Sequence, residues 1–182
     1  MSTASEIIHI HGRPFRRYIS QDEISAAVQR LAKQIDRNYA GQELLLCPVL
    51  TGSYVFAADL SRAIQTQHEV RFVQYNSYEG MASSGQVKAR LPFDKHVRGR
   101  HVIIVEDIIE SGLCMSVILD ALAQFQPASV ALCTLFYKPN LFKYSFKIDY
   151  IGFTIPDDFI VGYGLDYDGL GRQYPDLYIL DE

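Results

Sequence analysis

Short apolar runs alternating with helical stretches predict an α/β fold built on a mostly parallel sheet flanked by helices. Two observations carry this. The first is a set of compact apolar segments, of which Leu44–Leu50 is unbroken by any charge, as strands buried on both faces require. The second is the helical spacing of the apolar residues between them. With 182 residues, the chain suits one domain around a single sizeable core.

The elements follow in order. Ser20-Gln21-Asp22-Glu23 reads as a capping box opening a helix, and Ile24, Val28, Leu31 and Ile35 hold helical spacing until Asn38-Tyr39-Ala40-Gly41 ends it. Leu44–Leu50 is the first strand, and a helix carrying Phe56, Leu60 and Ile64 follows Thr51-Gly52-Ser53. Val70–Tyr75 reads as a second strand. Ser77–Arg90, with Gly80, Ser83, Ser84 and Gly85 and almost no apolar periodicity, reads as a long mobile loop of the kind that serves function. His101–Val105 is a third strand, followed by a helix with Met115, Ile118, Leu119, Leu122 and Phe125. Val130–Phe136 and Tyr150–Thr154 complete the strands. In such sheets ligands bind at the carboxyl ends of the strands, so the loops after Leu50, Val105 and Phe136 are expected to converge on one site.

Composition narrows the function classes. The net charge of −4 argues against a broad nucleic-acid footprint, which needs a basic face. Cys47, Cys114 and Cys133 are odd in number and lack zinc-site spacing, so reduced thiols in a cytoplasmic protein are the simplest reading. No signal peptide or membrane span is expected.

The chemistry concentrates in Val105-Glu106-Asp107-Ile108-Ile109-Glu110-Ser111-Gly112. Adjacent carboxylates at the end of a buried strand are costly unless they bind something. The two hydroxyls of a ribose, or a hydrated Mg²⁺, would satisfy Glu106 and Asp107. The small Ser111-Gly112 turn then opens a helix, whose free amides and dipole favour a phosphate. Carboxylates for a sugar and amides for its phosphate describe a ribose-5-phosphate cradle. An acidic turn with a capping serine is the plainer alternative, and the order of the residues outweighs it.

At these residues the chain resembles the type I purine phosphoribosyltransferases, in their hypoxanthine-guanine branch. The similarity runs from about Tyr18 to the C-terminus. It includes Pro48-Val49-Leu50-Thr51-Gly52-Ser53-Tyr54-Val55-Phe56-Ala57-Ala58-Asp59-Leu60, Ser77-Tyr78, and Phe159-Ile160-Val161-Gly162-Tyr163-Gly164-Leu165-Asp166-Tyr167. The resemblance implies one phosphoribosyltransferase domain over 1–182, with a flexible active-site loop at about 77–90 and a small C-terminal base-binding hood at about 138–182. It implies transfer of a 5-phosphoribosyl group from phosphoribosyl diphosphate (PRPP) to hypoxanthine or guanine, with Mg²⁺, in a cytoplasmic homodimer or homotetramer with no nucleic-acid or membrane partner.

Residue by residue, the resemblance puts the ribose hydroxyls and metal on Glu106 and Asp107, and the 5′-phosphate on Ser111, Gly112, Leu113 and Cys114, the last commonly threonine. Glu110, usually an aspartate, is the general base near N7 of the purine. Leu50, Thr51 and Gly52 match the pyrophosphate loop, with a non-proline cis peptide at Leu50-Thr51; Thr51, often lysine, supplies no charge. Arg172 matches a pyrophosphate ligand, and Asp166 a residue placing a second Mg²⁺ or its waters. Lys138 matches the lysine that reads O6, although a lone lysine beside Pro139 would otherwise read as a surface residue. Phe159 matches the aromatic stacked on the purine, Ile160 a backbone contact to the base edge, and Ser77-Tyr78 the head of the closing loop. The same fold also carries nucleotide-sensing regulators that bind RNA, and Glu110, Thr51 and Cys114 together would suit a low-activity family member. Xanthine is a further acceptor within the class.

Overall fold

The computed structural model describes residues 7–77 and 87–181. The chain opens with a hairpin of β1 (Ile7–Ile10) and β2 (Arg13–Ile19), then α1 (Gln21–Asn38). Ser20 caps α1 reciprocally with Glu23: the Glu23 amide donates to Ser20 Oγ, and the Ser20 amide to Glu23 Oε2 at 2.9 Å. The helix buries Ile24, Ala27, Val28, Leu31, Ala32 and Ile35 along one stripe.

Next come β3 (Leu44–Leu50), α2 (Tyr54–Ala63), β4 (His68–Val70), β5 (Val73–Ser77) and β6 (Val87–Leu91). A short 3-10 turn at Lys95–Val97 leads into β7 (His101–Ile109), α3 (Leu113–Ala123), β8 (Ser129–Tyr137) and β9 (Tyr150–Thr154). The chain ends in β10 (Ile160–Val161) and β11 (Leu177–Leu180).

Two sheets result. The main sheet runs β6-β5-β3-β7-β8-β9, with β4 also paired to β3, and every pairing in it except β5 with β6 is parallel. Its alternating side chains feed two cores. Leu44, Leu46, Ile103 and Val105 face α1 and α2, whereas Leu45, Cys47, Val102 and Ile104 face Met115, Ile118 and Leu122 of α3. The second sheet is antiparallel, in the order β1-β2-β11-β10. Its Ile19, Ile160, Leu177 and Ile179 join the α1–α2 core, which fixes the small sheet against the main one.

Several boundaries differ from the sequence reading. The expected strand Val70–Tyr75 is split, because Arg71 turns outward to Glu69 and Asp94. The third strand continues to Ile109, since Ile108 and Ile109 find partners in Phe136 and Tyr137 of β8; the acidic pair therefore lies within the strand, not beyond it. The reading of Ser77–Arg90 as irregular loop does not hold at its ends: Ser77 closes β5, and Val87–Arg90 lie in β6, paired back onto β5. Tyr78 and the rest of 78–86 lie outside the described residues. The small sheet is also not confined to 138–182. β9 belongs to the main sheet, and the N-terminal hairpin supplies half of the small one. A lone β10–β11 ribbon could not bury a face; four strands can.

Candidate active site

The carboxyl ends of β3, β7 and β8 meet as expected. At the end of β3 the Leu50–Thr51 peptide is cis. Ser53 Oγ donates to Val49 O at 2.6 Å, tying the turn beneath α2. Gly52 packs so closely on Asp107 that a Cβ there would fall inside the carboxylate. This close approach is a concrete reason for glycine at that position.

β7 brings Glu106 and Asp107 to the same place. Asp107 is buried, and its Oδ1 accepts the Ile108 amide at 2.9 Å. Burial, then the neighbouring Asp107 charge, raises the Glu106 carboxyl well above the usual range. Asp107 is also raised by burial, against opposing hydrogen bonds and the charge of Arg172. A cavity of about 200 Å³ is lined by Glu106 and by the chain from Ile108 round to Met115. Ser111 and Gly112 form its floor at the start of α3, where the Leu113 amide donates to Ser111 Oγ at 3.3 Å. Cys114 is half-buried, and burial pushes its thiol up to about 12. It is therefore a neutral side chain there, not a thiolate nucleophile.

Lys138 follows β8 and is only 3% exposed, so the surface-lysine alternative falls. Its amide donates to Ile109 O at 3.0 Å, and its ammonium lies 2.5 Å from Glu110 Oε1. The residues expected at N7 and O6 of one base are thus in direct contact. Phe159 is 45% exposed, its ring edge-on to Tyr167 at 5.4 Å and tilted against Phe15 at 6.2 Å, so it is no core strand residue. Ile160 is buried in β10. Arg172 and Asp166, which sequence alone could assign to a solvated position and a turn, form an ion pair at 2.5 Å; Arg172 also donates to Gly164 O, and Asp166 accepts the Gly169 amide at 2.7 Å.

Sequence reasoning assigned no role to Tyr163 or Asp59, although both stand in the segments quoted for the resemblance. Tyr163 Oη donates to Asp59 Oδ2 at 2.6 Å. Burial and the Asp59 carboxylate push the Tyr163 phenol well up, keeping it a donor. A tyrosine between two glycines was the available signal.

A parallel sheet whose acidic strand end runs into a helix N-terminus, with a second turn leaning on it, defines a site for a phosphorylated sugar. Residues 20–168 match the family model described as phosphoribosyl transferase domain, and the chain belongs to that family. Hypoxanthine phosphoribosyltransferase of Escherichia coli (strain K12) is 41% identical over 170 residues, covering 90% of this chain and 96% of the relative. Hypoxanthine-guanine phosphoribosyltransferase of Aquifex aeolicus is 35% identical over 175 residues, 95% and 98% of the two chains. A crystal structure of a hypoxanthine-guanine phosphoribosyltransferase from Bacillus anthracis superposes with a TM-score of 0.87 at 37% identity, covering 97% of this chain and 100% of that one. Within the family, the chain takes its place in the hypoxanthine and hypoxanthine-guanine branch.

Proposed function

We propose that this protein transfers the 5-phosphoribosyl group of PRPP to N9 of hypoxanthine or guanine, giving IMP or GMP and pyrophosphate in purine salvage. The observation that carries the reading is the buried Lys138 ammonium, joined to Glu110 at the rim of the cavity that begins at Glu106 and the α3 N-terminus. An ammonium only donates, so it suits a 6-oxo group and meets a 6-amino group badly. Phe159 offers the purine a face, and the Ile160 backbone its edge.

On the donor side, Glu106 and Asp107 take the ribose hydroxyls. Ser111, Gly112, Leu113 and Cys114 take the 5′-phosphate, while the Leu50-Thr51-Gly52 turn and Arg172 take the pyrophosphate. N9 attacks C1′, the C1′–O bond breaks, and pyrophosphate leaves with the bonding electrons. Glu110 takes the N7 proton of the base. By the family resemblance, Ser77 and Tyr78 would head a segment whose closure excludes water from an oxocarbenium-like transition state.

The donor set fits Mg²⁺. Two adjacent carboxyl groups, both raised chiefly by burial, suit a cation. Among the described residues no cluster of three His, Cys, Asp or Glu forms a complete cage. Mg²⁺ is commonly held by one or two carboxylates, with water and substrate phosphates supplying the rest. Glu106 and Asp107 would hold the ion, which would supply positive charge against the leaving pyrophosphate. Asp166, already engaged by Arg172, would act on its waters. The cysteines are all free, which suits a cytoplasmic location, and no helix among the described residues is long and apolar enough to cross a membrane. A homodimer or homotetramer completes the proposal.

The test is a Mg²⁺-dependent assay with PRPP against the five common bases and xanthine, with product identification. IMP and GMP are the expected products. Turnover of adenine alone, or nucleotide binding without turnover of any base, would sink the reading, the second outcome in favour of a low-activity member or nucleotide sensor.

A further inference from the structure

Tyr163 is buried and holds a left-handed backbone, φ +48°, which a bulky residue seldom adopts and which survives only where the surroundings impose it. Two hydrogen bonds impose it here. The Tyr163 amide donates to Tyr174 O at 2.8 Å, and the hydroxyl crosses to Asp59 on α2. Its neighbour Gly164 also reaches the far side: a Cβ there would collide with Gly52 O.

Both contacts land on one rigid unit. Ser53 binds Val49 O through its hydroxyl, and the Ala57 amide donates to Ser53 O at 2.8 Å, so the 51–53 turn and α2 move together. On the other side, Tyr163 lies four residues after Phe159 and three after Ile160. Arg172 clamps the same segment through Gly164 O and Asp166. A hydroxyl-to-carboxylate bond of 2.6 Å is of the short, charge-assisted kind.

We propose that the Tyr163–Asp59 hydrogen bond is a positioning link that couples the base side of the site to the pyrophosphate turn, so that occupancy of one favours occupancy of the other. The proposal rests on the functional reading above. Neither residue touches the reacting atoms; Tyr163 acts through Phe159–Ile160, and Asp59 through the 51–53 turn.

Hypoxanthine and inorganic pyrophosphate cannot react with each other, so their mutual effect can be measured at equilibrium. Calorimetric titration of the full chain with hypoxanthine, with and without saturating Mg²⁺ and pyrophosphate, gives the coupling factor. The expected factor is about tenfold. Tyr163→Phe should bring it close to one while each ligand alone binds within about twofold of the parent. Asp59→Ala should match Tyr163→Phe, and the double variant should lose nothing further, because one bond is removed either way. Asp59→Asn, whose amide oxygen still accepts the phenol proton, should retain the factor. Arg62→Ala, which removes only the other partner of Asp59, should retain it too. A factor of one in the parent, or an unchanged factor in Tyr163→Phe, overturns the link. Should Tyr163→Phe not fold, the contrast between Asp59→Ala and Asp59→Asn decides by the same criterion. A parent that binds neither ligand overturns the functional reading instead, so the two failures are distinct.

Discussion

Within five residues of β7 and its end, the chain treats carboxylates in two ways. Glu106 and Asp107 are crowded together under burial, and both are raised by it. Glu110, by contrast, reaches the ammonium of Lys138. On the proposed reading, the donor half of the site therefore holds two carboxyl groups whose charging is opposed by burial, and a bound cation would favour their charged forms. On the same reading, the acceptor half is already paired within the protein, so a base would have to enter a contact that Glu110 and Lys138 make with each other. The difference teaches that ligand binding should stabilise the fold chiefly from the donor side, while specificity resides in a pair that the base must share.

The largest effect should come from breaking the acceptor half. Lys138→Ala removes a buried ammonium and leaves Glu110, whose side chain is 48% exposed, to water, so the fold should survive. Loss of a charged hydrogen bond to the base should lower kcat/KM for hypoxanthine by about 100-fold and abolish the preference over adenine. If the hypoxanthine-to-adenine ratio of kcat/KM stays the same, Lys138 does not read the 6-position.

Next in size is the donor half. Glu106→Gln keeps the shape and removes the group whose charging burial and the neighbouring Asp107 oppose. Apparent KM for PRPP should rise about tenfold, while stability rises by on the order of 1 kcal/mol, or a few degrees in Tm. A lowered Tm in thermal melts would refute a cost from burying this carboxyl. The pH dependence sharpens the same point. A carboxyl with a raised folded pKa holds its proton more tightly in the native state than in the unfolded chain. The native state therefore loses relative stability as pH climbs from about 4 through the raised values. Denaturant unfolding of the ligand-free protein should show this decline, reduced in Glu106→Gln. A stability that rises across that window in both proteins would contradict it.

How far this comparison was legible beforehand follows from what each half depends on. The donor half is local: Glu106, Asp107, Ser111 and Gly112 lie within seven residues, so strand, turn and helix order could be read directly. The main sheet was legible for a similar reason, since Leu44–Leu50 is an unbroken apolar run and Val130–Phe136 is apolar at every position but Thr134. The acceptor half is not local. The Glu110–Lys138 contact spans 28 positions and Asp59–Tyr163 spans 104, and no periodicity encodes a pairing at that range. The same holds for the small sheet, where β2 pairs with β11 from the other end of the chain. Its strands are short or half-exposed, and lack the unbroken apolar run that marks the main sheet.

The smallest expected effect bears on the residue where the two halves meet. Glu110→Asp restores the residue that the family resemblance implies, and withdraws the carboxylate by one methylene. Lys138 is held independently by its amide on Ile109 O, so it will not follow, and the 2.5 Å contact should open. Two consequences compete. A freed ammonium and a carboxylate at the family's usual reach should favour the base, whereas a displacement of about 1 Å from an adapted geometry costs up to 10²-fold. Because the pair occupies its own ligand positions in the free protein, the first should prevail. Turnover should then be preserved or raised a few-fold, with selectivity against adenine intact because Lys138 remains in place. Steady-state kcat for hypoxanthine decides it. A large drop would mean that the site is built around glutamate, and that the Glu110–Lys138 pair belongs to the working geometry and not to the resting one.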